Sequence, residues 1–303
     1  MAGIPFVRDL EFKYGESARV SPLVRRVICE NPGPFTYLGT GVYIVGTDEV
    51  AVIDPGPVMD AHFEALKRAL KDERVTHVFT THTHMDHSPL AHPLAKWAGC
   101  KVYGRPAPRT AEAEIKLEEG GQTGFVPDVL VNDGDVFRGQ NPDGMGWTLE
   151  AITTPGHMSN HVCYALKEEK AVFSGDHIMG WSTTVITPPD GDMGDYYASL
   201  EKIRRRNFTT VWPTHGPPVT SVTPFIDAYI EHRRARERAI VERLRAGDTL
   251  IPDMVSVIYK DIDKRLHPAA CHSVLAHIIH LSRTGQVKAD GPFALSTRYR
   301  LAV

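Results

Sequence analysis

One stretch, Thr81-His82-Thr83-His84-Met85-Asp86-His87, constrains this chain more than any other. Three imidazoles and a carboxylate crowd together directly after residues 75–80, a run that reads as a β-strand. Side chains this polar are poor packing material, because every buried ring nitrogen or carboxylate oxygen needs a partner. At a strand end, however, the chain can turn and aim several of them at one point beyond the sheet. His82 and His84 alternate so that both can face one metal ion. Asp86 and His87, past the turn, can then face a second ion beside it.

Such donors recur at other expected strand ends. Pro155-Gly156-His157 follows residues 149–153, Ser174-Gly175-Asp176-His177 follows 171–173, and Pro213-Thr214-His215-Gly216 follows 209–212. Each places a ligand-type residue where a β segment gives way to a glycine-containing turn. Imidazole and carboxylate without thiolate suit zinc, and also iron or manganese. Seven donors with one shared carboxylate are enough for two ions.

The remaining pattern supplies a frame. Residues 42–45, 50–53, 100–103 and 161–166 read as further strands. Residues 60–71 carry Phe63, Leu66 and Leu70 at helical spacing. Strands with interspersed helices predict a layered α/β domain. The character changes near residue 225. Residues 225–247 form a helical pattern with Phe225, Tyr229, Ile240 and Leu244 on one face and six arginines, Arg233 to Arg245, on the other. Helical stretches around 254–259 and 268–282 follow, the latter stopped by Gly285, and Asp290-Gly291 signals a hairpin. Three helices and a hairpin outline a winged helix, so the expected units are residues 1–222 and 223–303.

Composition closes off several function classes. Across 303 residues, 34 basic groups face 37 acidic ones, a net charge of −3 that excludes a generic polyanion binder, although the tail has a basic excess. No run of 18 apolar residues exists to span a membrane as a helix. The first twenty residues resemble neither a secretory signal nor a transit peptide. Cys29, Cys100, Cys163 and Cys271 are far apart and form no C-x-x-C pair, which reads as free thiols in a reducing, cytoplasmic setting. Cys163, inside a strand, is core rather than nucleophile.

At these residues the chain resembles the metallo-β-lactamase superfamily. The resemblance spans roughly residues 20–218 and implies a four-layer αβ/βα sandwich, with a small, mainly helical winged-helix-like C-terminal domain. It implies that His82, His84 and His157 hold one metal ion, that Asp86, His87 and His215 hold another, and that Asp176 bridges the two. Asp54, in Ile53-Asp54-Pro55-Gly56, is implied to orient a ligand histidine by hydrogen bonding. Trp181–Thr184 (residues 181–184), 195–200, 213–217 and the helix at 229–237 resemble the β-lactamase-like protein 2 branch. That branch includes a metal-dependent endoribonuclease acting on single-stranded RNA, and fungal thioesterases. Where many relatives carry Gly-Gly after the ligand cluster, this chain has Ser88-Pro89-Leu90, a departure that bears on substrate fit.

The chemistry expected is hydrolysis by a hydroxide bridging two divalent ions, zinc first, with Asp86 orienting the nucleophile and shuttling its proton. Ester, thioester or related small-molecule bonds are the first substrate class. The alternatives are an endoribonuclease on single-stranded RNA and a non-catalytic nucleic-acid-binding regulator using the C-terminal domain. A homodimer and no membrane partner complete the expectation. His177, Tyr196 and Tyr197 are candidate substrate contacts, and His161 is either a supporting or a structural residue. His62, His77, His92 and His232 read as structural or surface groups. His277 and His280, three apart, permit a metal pair, but the sequence shows no third ligand.

Overall fold

Alternating side chains in the long strands point to two different apolar layers, because both sheets are covered on both faces. The computed structural model describes residues 3–108, 120–140, 144, 146–261 and 263–302. Its first sheet runs in spatial order β1 (Ser17–Arg19), β2 (Val24–Ile28), β3 (Gly41–Val45), β4 (Glu49–Ile53), β5 (Arg74–Phe79), β6 (Lys101–Gly104) and β7 (Val129–Leu130). Pairing is antiparallel up to β4 and parallel from β4 to β7. The second sheet is ordered β12 (Thr210–Pro213), β11 (Ala171–Gly175), β10 (Val162–Leu166), β9 (Trp147–Thr153), β8 (Val136–Gly139).

The period of two sorts these residues. In β3 and β4, Tyr43, Val45, Ala51 and Ile53 meet Tyr164, Leu166 and Phe173 of the other sheet, while Val42, Ile44, Val50 and Val52 face outward. Helices α1 (Asp60–Leu70) and α2 (Ala91–Ala98) cover that outward face through Leu66, Leu70 and Leu94. On the far side, α3 (Met193–Arg204) and the first half of α4 (Val222–Arg245) cover Ile152, Cys163 and Val172. The result is the expected four-layer sandwich.

Helix α4 belongs to two cores. Val222, Phe225, Ile226 and Tyr229 pack on the second sheet's helical layer, whereas Ile240 and Leu244 join α5 (Ile251–Ile258), α6 (His267–Arg283), β13 (Val287–Ala289) and β14 (Tyr299–Leu301). β13 and β14 pair antiparallel, but their connection runs over residues 290–298 rather than closing tightly at Asp290-Gly291. Strands β1, β2, β7 and β8 and helices α2 and α3 are additions to the elements expected from the sequence. Among the described residues, no helix is long and apolar enough to cross a membrane, and all four cysteines are free thiols.

Candidate metal centre

Every strand that feeds the centre ends at the same edge of the sandwich. β5 delivers residues 82–87, β9 His157, β11 Asp176, β12 His215, and β4 Asp54. The structure therefore brings together side chains separated by up to 161 positions of sequence, and buries all of the named donors and Asp54.

Two groups of donors form. In the first, His84 Nδ1 lies 3.0 Å from His82 Nε2 and 3.1 Å from His157 Nε2. In the second, His215 Nε2 is 2.9 Å and His87 Nε2 3.3 Å from Asp86 Oδ2. Asp176 stands between them. Its Oδ1 faces His215 Nε2 at 3.5 Å and His87 Nε2 at 3.6 Å, and its Oδ2 faces His157 Nε2 at 4.0 Å.

Whether these residues fit metal ions can be tested on their own geometry. His87 Nε2, Asp176 Oδ1 and His215 Nε2 are buried and make no hydrogen bond, although each has opposite polarity a few ångströms away. Atoms so placed share a space without being aligned on each other, which is unfavourable unless a cation completes them. In a tetrahedral site with Zn–N distances of about 2.0–2.1 Å, two nitrogens stand roughly 3.3 Å apart. The first group's 3.0 and 3.1 Å separations are close to that edge. The donor set fits a divalent-metal site.

Hydrogen bonds behind the donors fix which nitrogen faces inward. His157 Nδ1 lies 2.7 Å from Val185 O, His215 Nδ1 3.3 Å from Gly39 O, and His87 Nδ1 2.9 Å from Asp54 Oδ2. In each case Nδ1–H donates, so that Nε2 is the atom turned toward the cluster. Asp54 accepts four such bonds, also taking Thr81 N–H (2.7 Å), Thr81 Oγ1 (2.7 Å) and Thr214 Oγ1 (2.9 Å). His161 braces the centre from behind, accepting the Asp176 N–H at Nε2 (3.3 Å) while Nδ1 meets Thr154 Oγ1 (2.8 Å).

The electrostatics divide the same way. Burial, reinforced by neighbouring imidazoles, holds His82 well below the ordinary histidine range and His84 down to about 3, so both are neutral donors. For His87 burial acts in the same direction, but Asp86, Asp176 and Asp54 together raise it well above that range. His215 is raised likewise against burial by Asp176 and Asp86. Burial would lift both carboxylates, yet His87 and His215 hold Asp86 and Asp176 below the usual range. The carboxylates thus favour positive charge at this second pair of imidazoles, which protons or a bound cation would supply.

Several expectations need correcting. The Tyr196 ring is fully buried and its hydroxyl donates to His177 O at 2.8 Å, so it reaches no substrate. His177 is itself buried edge-on to Tyr196, 5.1 Å between ring centres. Tyr197 packs on His280 of α6, away from the donors. The missing third partner of His277 and His280 is Glu237, whose Oε1 lies 3.3 and 2.8 Å from their Nδ1 atoms. It joins α4 to α6 as a hydrogen-bonded clasp. The α4 arginines are largely engaged within the chain: Arg238 with Glu231, Arg243 with Asp248, Arg245 with Glu242, and Arg236 over the Tyr259 ring.

Other supporting residues carried no sequence signal as site residues. Arg26, buried in β2, donates to Gly216 O (2.8 Å) and Thr214 O (3.0 Å), holding the turn that bears His215. Gly216 has φ +82°, and a Cβ there would lie 2.7 Å from the Trp181 ring, so this turn requires glycine. An arginine in the interior position of Val-Arg-Arg-Val-Ile, where alternation calls for an apolar residue, is the one available clue to Arg26.

Residues 37–215 match the model of the metallo-beta-lactamase superfamily, and residues 251–293 match that of the beta-lactamase associated winged helix domain. The chain belongs to the metallo-beta-lactamase superfamily and is a metal-dependent hydrolase of that fold. Within it, the chain is 32% identical over 279 residues to a beta-lactamase-like protein 2 homolog from Caenorhabditis elegans, covering 89% of this chain and 88% of that protein. It is 31% identical over 251 residues to an atrochrysone carboxyl ACP thioesterase from Claviceps purpurea, covering 80% and 73%. A beta-lactamase domain protein from Burkholderia ambifaria superposes with a TM-score of 0.78 at 20% identity, over 97% of this chain and 96% of that one. The non-catalytic reading is thereby set aside.

Proposed function

We propose that the chain is a dinuclear hydrolase of ester or thioester bonds in small molecules with an apolar acyl part, and that zinc is its metal. The observation that carries this reading is the cleft above the donors. His84, Asp86 and Asp176 lie at its floor, and Pro34, Phe35, Met179, Trp181 and Val185 form much of its wall, around a cavity of about 100 Å³ that opens to solvent. Trp181 is stacked on Tyr37 with ring centres 4.6 Å apart, which stiffens one side. Among the described residues, no lysine or arginine lines it. A phosphodiester substrate needs cations along its backbone; an acyl group needs apolar walls. The thioesterase name of the Claviceps purpurea relative supports the same choice.

Two divalent ions, when bound, polarise a carbonyl oxygen and acidify water. The chain's own groups then divide the work. Asp176 spans the two donor groups, His157, His215 and His87 present the nitrogens fixed by their Nδ1 bonds, and the Asp86 carboxylate orients the attacking water, takes its proton, and can return it to the alkoxide or thiolate that leaves as the acyl C–O or C–S bond breaks. The apolar wall holds the acyl part and limits bulk water.

Metal analysis of the full chain should return about two ions. Acyl-thioesters and single-stranded RNA should be assayed side by side, with Asp86→Ala excluding contaminants. Thioester turnover lost in that variant is expected; RNA cleavage lost in it, without thioester turnover, overturns the substrate assignment.

A further inference from the structure

We propose that Arg233, on the helix that leads into the C-terminal domain, is a positioning residue of the metal centre, acting through residues 184–185. The inference rests on the metal-centre reading above. Arg233 is 3% exposed, and its contacts among the described residues are a carbonyl and an aromatic ring rather than a carboxylate. A buried cation without a counter-charge is costly unless its hydrogen bonds repay the loss of water. Its guanidinium lies over the Tyr196 ring, 5.4 Å from the centre, and its Nη2 donates to Thr184 O.

That carbonyl sits where two supports of the centre meet. Thr184 Oγ1 donates to Asp176 O at 2.7 Å and lies 3.1 Å from His177 O, fixing the loop that carries the shared carboxylate. The next carbonyl, Val185 O, accepts from His157 Nδ1 at 2.7 Å. A single guanidinium therefore anchors the peptide from which both Asp176 and His157 are oriented. One turn earlier, Tyr229 Oη donates to Met179 O (2.6 Å) and also contacts Ser182 O, pinning the start of the same segment. One turn later, Glu237 grips His277 and His280 of α6. Tyr229, Arg233 and Glu237 recur every four residues and share a face of α4. Arg233 is the member of that stripe placed against the peptide that supports the donors.

The test uses the full chain, freed of metal and titrated with Zn²⁺ alone against a chromophoric chelator, with the melting temperature of the apo protein measured in parallel. Arg233→Met and Thr184→Val should each weaken Zn²⁺ binding by about 10–100-fold, the range for lost outer hydrogen bonds. Together they should weaken it by less than the product, because both act on one peptide. Ile226→Ala, a buried apolar change in the same helix, should lower the melting temperature without changing Zn²⁺ affinity. Should Arg233→Met fail to fold, Arg233→Lys, which keeps the charge but not the planar fork, carries the same comparison. An Arg233 variant that binds Zn²⁺ as the parent does overturns the inference. So does Ile226→Ala weakening Zn²⁺ as strongly as the Arg233 variant. A parent chain that takes up no Zn²⁺ overturns instead the metal-centre reading beneath it.

Discussion

Replacing Asp54 by asparagine tests the logic of the centre without altering any donor. The carboxylate is fully buried and accepts four hydrogen bonds: Oδ1 from Thr81 N–H, and Oδ2 from Thr81 Oγ1, Thr214 Oγ1 and His87 Nδ1. An asparagine has the same shape but must place an NH₂ at one of these two positions. If the NH₂ replaces Oδ1, it meets the backbone N–H of Thr81, which cannot turn away. If it replaces Oδ2, the two threonine hydroxyls can rotate to accept, but His87 Nδ1–H cannot. That imidazole is then driven to the tautomer with its proton on Nε2, the atom that should face metal. Either orientation sets donor against donor.

The magnitude follows from the charges involved. A hydrogen bond to a charged group is worth about 1.5–3 kcal/mol, and leaving a buried donor unmet costs about 1–3 kcal/mol. Holding His87 in the wrong tautomer falls directly on binding of the second ion, since roughly 1.4 kcal/mol is one factor of ten. Asp54→Asn should therefore weaken the second ion by about 10–100-fold and leave the first, held by His82, His84 and His157, much less affected. The assay is a stepwise Zn²⁺ titration of the metal-free protein by calorimetry, with elemental analysis after dialysis at fixed free Zn²⁺. The expected result is a content falling from about two ions to about one. Two equally tight ions in Asp54→Asn would falsify the tautomer argument and would mean that the amide keeps its oxygen on His87 Nδ1 and sets its NH₂ against Thr81 N–H instead.

The clasp between α4 and α6 predicts a pH dependence. Burial would raise Glu237, but hydrogen bonds from His277 and His280 hold it down at about 2, so its stabilisation is present above its ordinary 4.5 and is lost as pH falls from there through about 2. Burial depresses His277, so its share is present above 6.5 and lost on acidification, whereas the Glu237 hydrogen bond raises His280, whose share is present below 6.5 and lost as pH rises through its folded-state value. The melting-temperature difference between the parent and His280→Ala should therefore shrink as pH rises from 6 toward 9; a constant difference removes His280 from the clasp. At the cleft, Trp181→Ala should raise KM for apolar thioesters by roughly tenfold, corresponding to about 1.4 kcal/mol of lost aromatic contact, with metal content unchanged. Equal KM values across an acyl-length series in both proteins would place the acyl group elsewhere.

The sequence disclosed the donors because their chemistry cannot be confused with packing. His82, His84, Asp86 and His87 are too polar for a core, and His157, Asp176 and His215 each sit in a glycine turn after an apolar run. Those features survive in one dimension. What holds the donors does not. Arg26 reaches the His215 turn across almost 200 positions of sequence, and Arg233 reaches Thr184 across about 50, so neither contact leaves a local pattern. Arg233 was legible only as part of a basic helical face, although it alone of that stripe is buried against the cleft segment. Tyr196 and Tyr197 were indistinguishable by sequence because adjacent helical residues differ by about 100° in direction, and only packing decides which points where.

The same reasoning explains why the two domains share a helix. A metal centre built from the ends of strands is open on one side, and its outer segment, residues 179–185, has no regular secondary structure to stiffen it. Tyr229 and Arg233 supply what a strand neighbour would, by taking up its carbonyls. Helix α4 can do so only if it is itself fixed, and Glu237 with α6 fixes it one turn further on. Removing the C-terminal unit would fray α4 from its far end toward the arginine, so loss of metal affinity should precede loss of the sandwich itself. On this view the appended domain acts on the reaction through the rigidity of one helix, whatever else it binds.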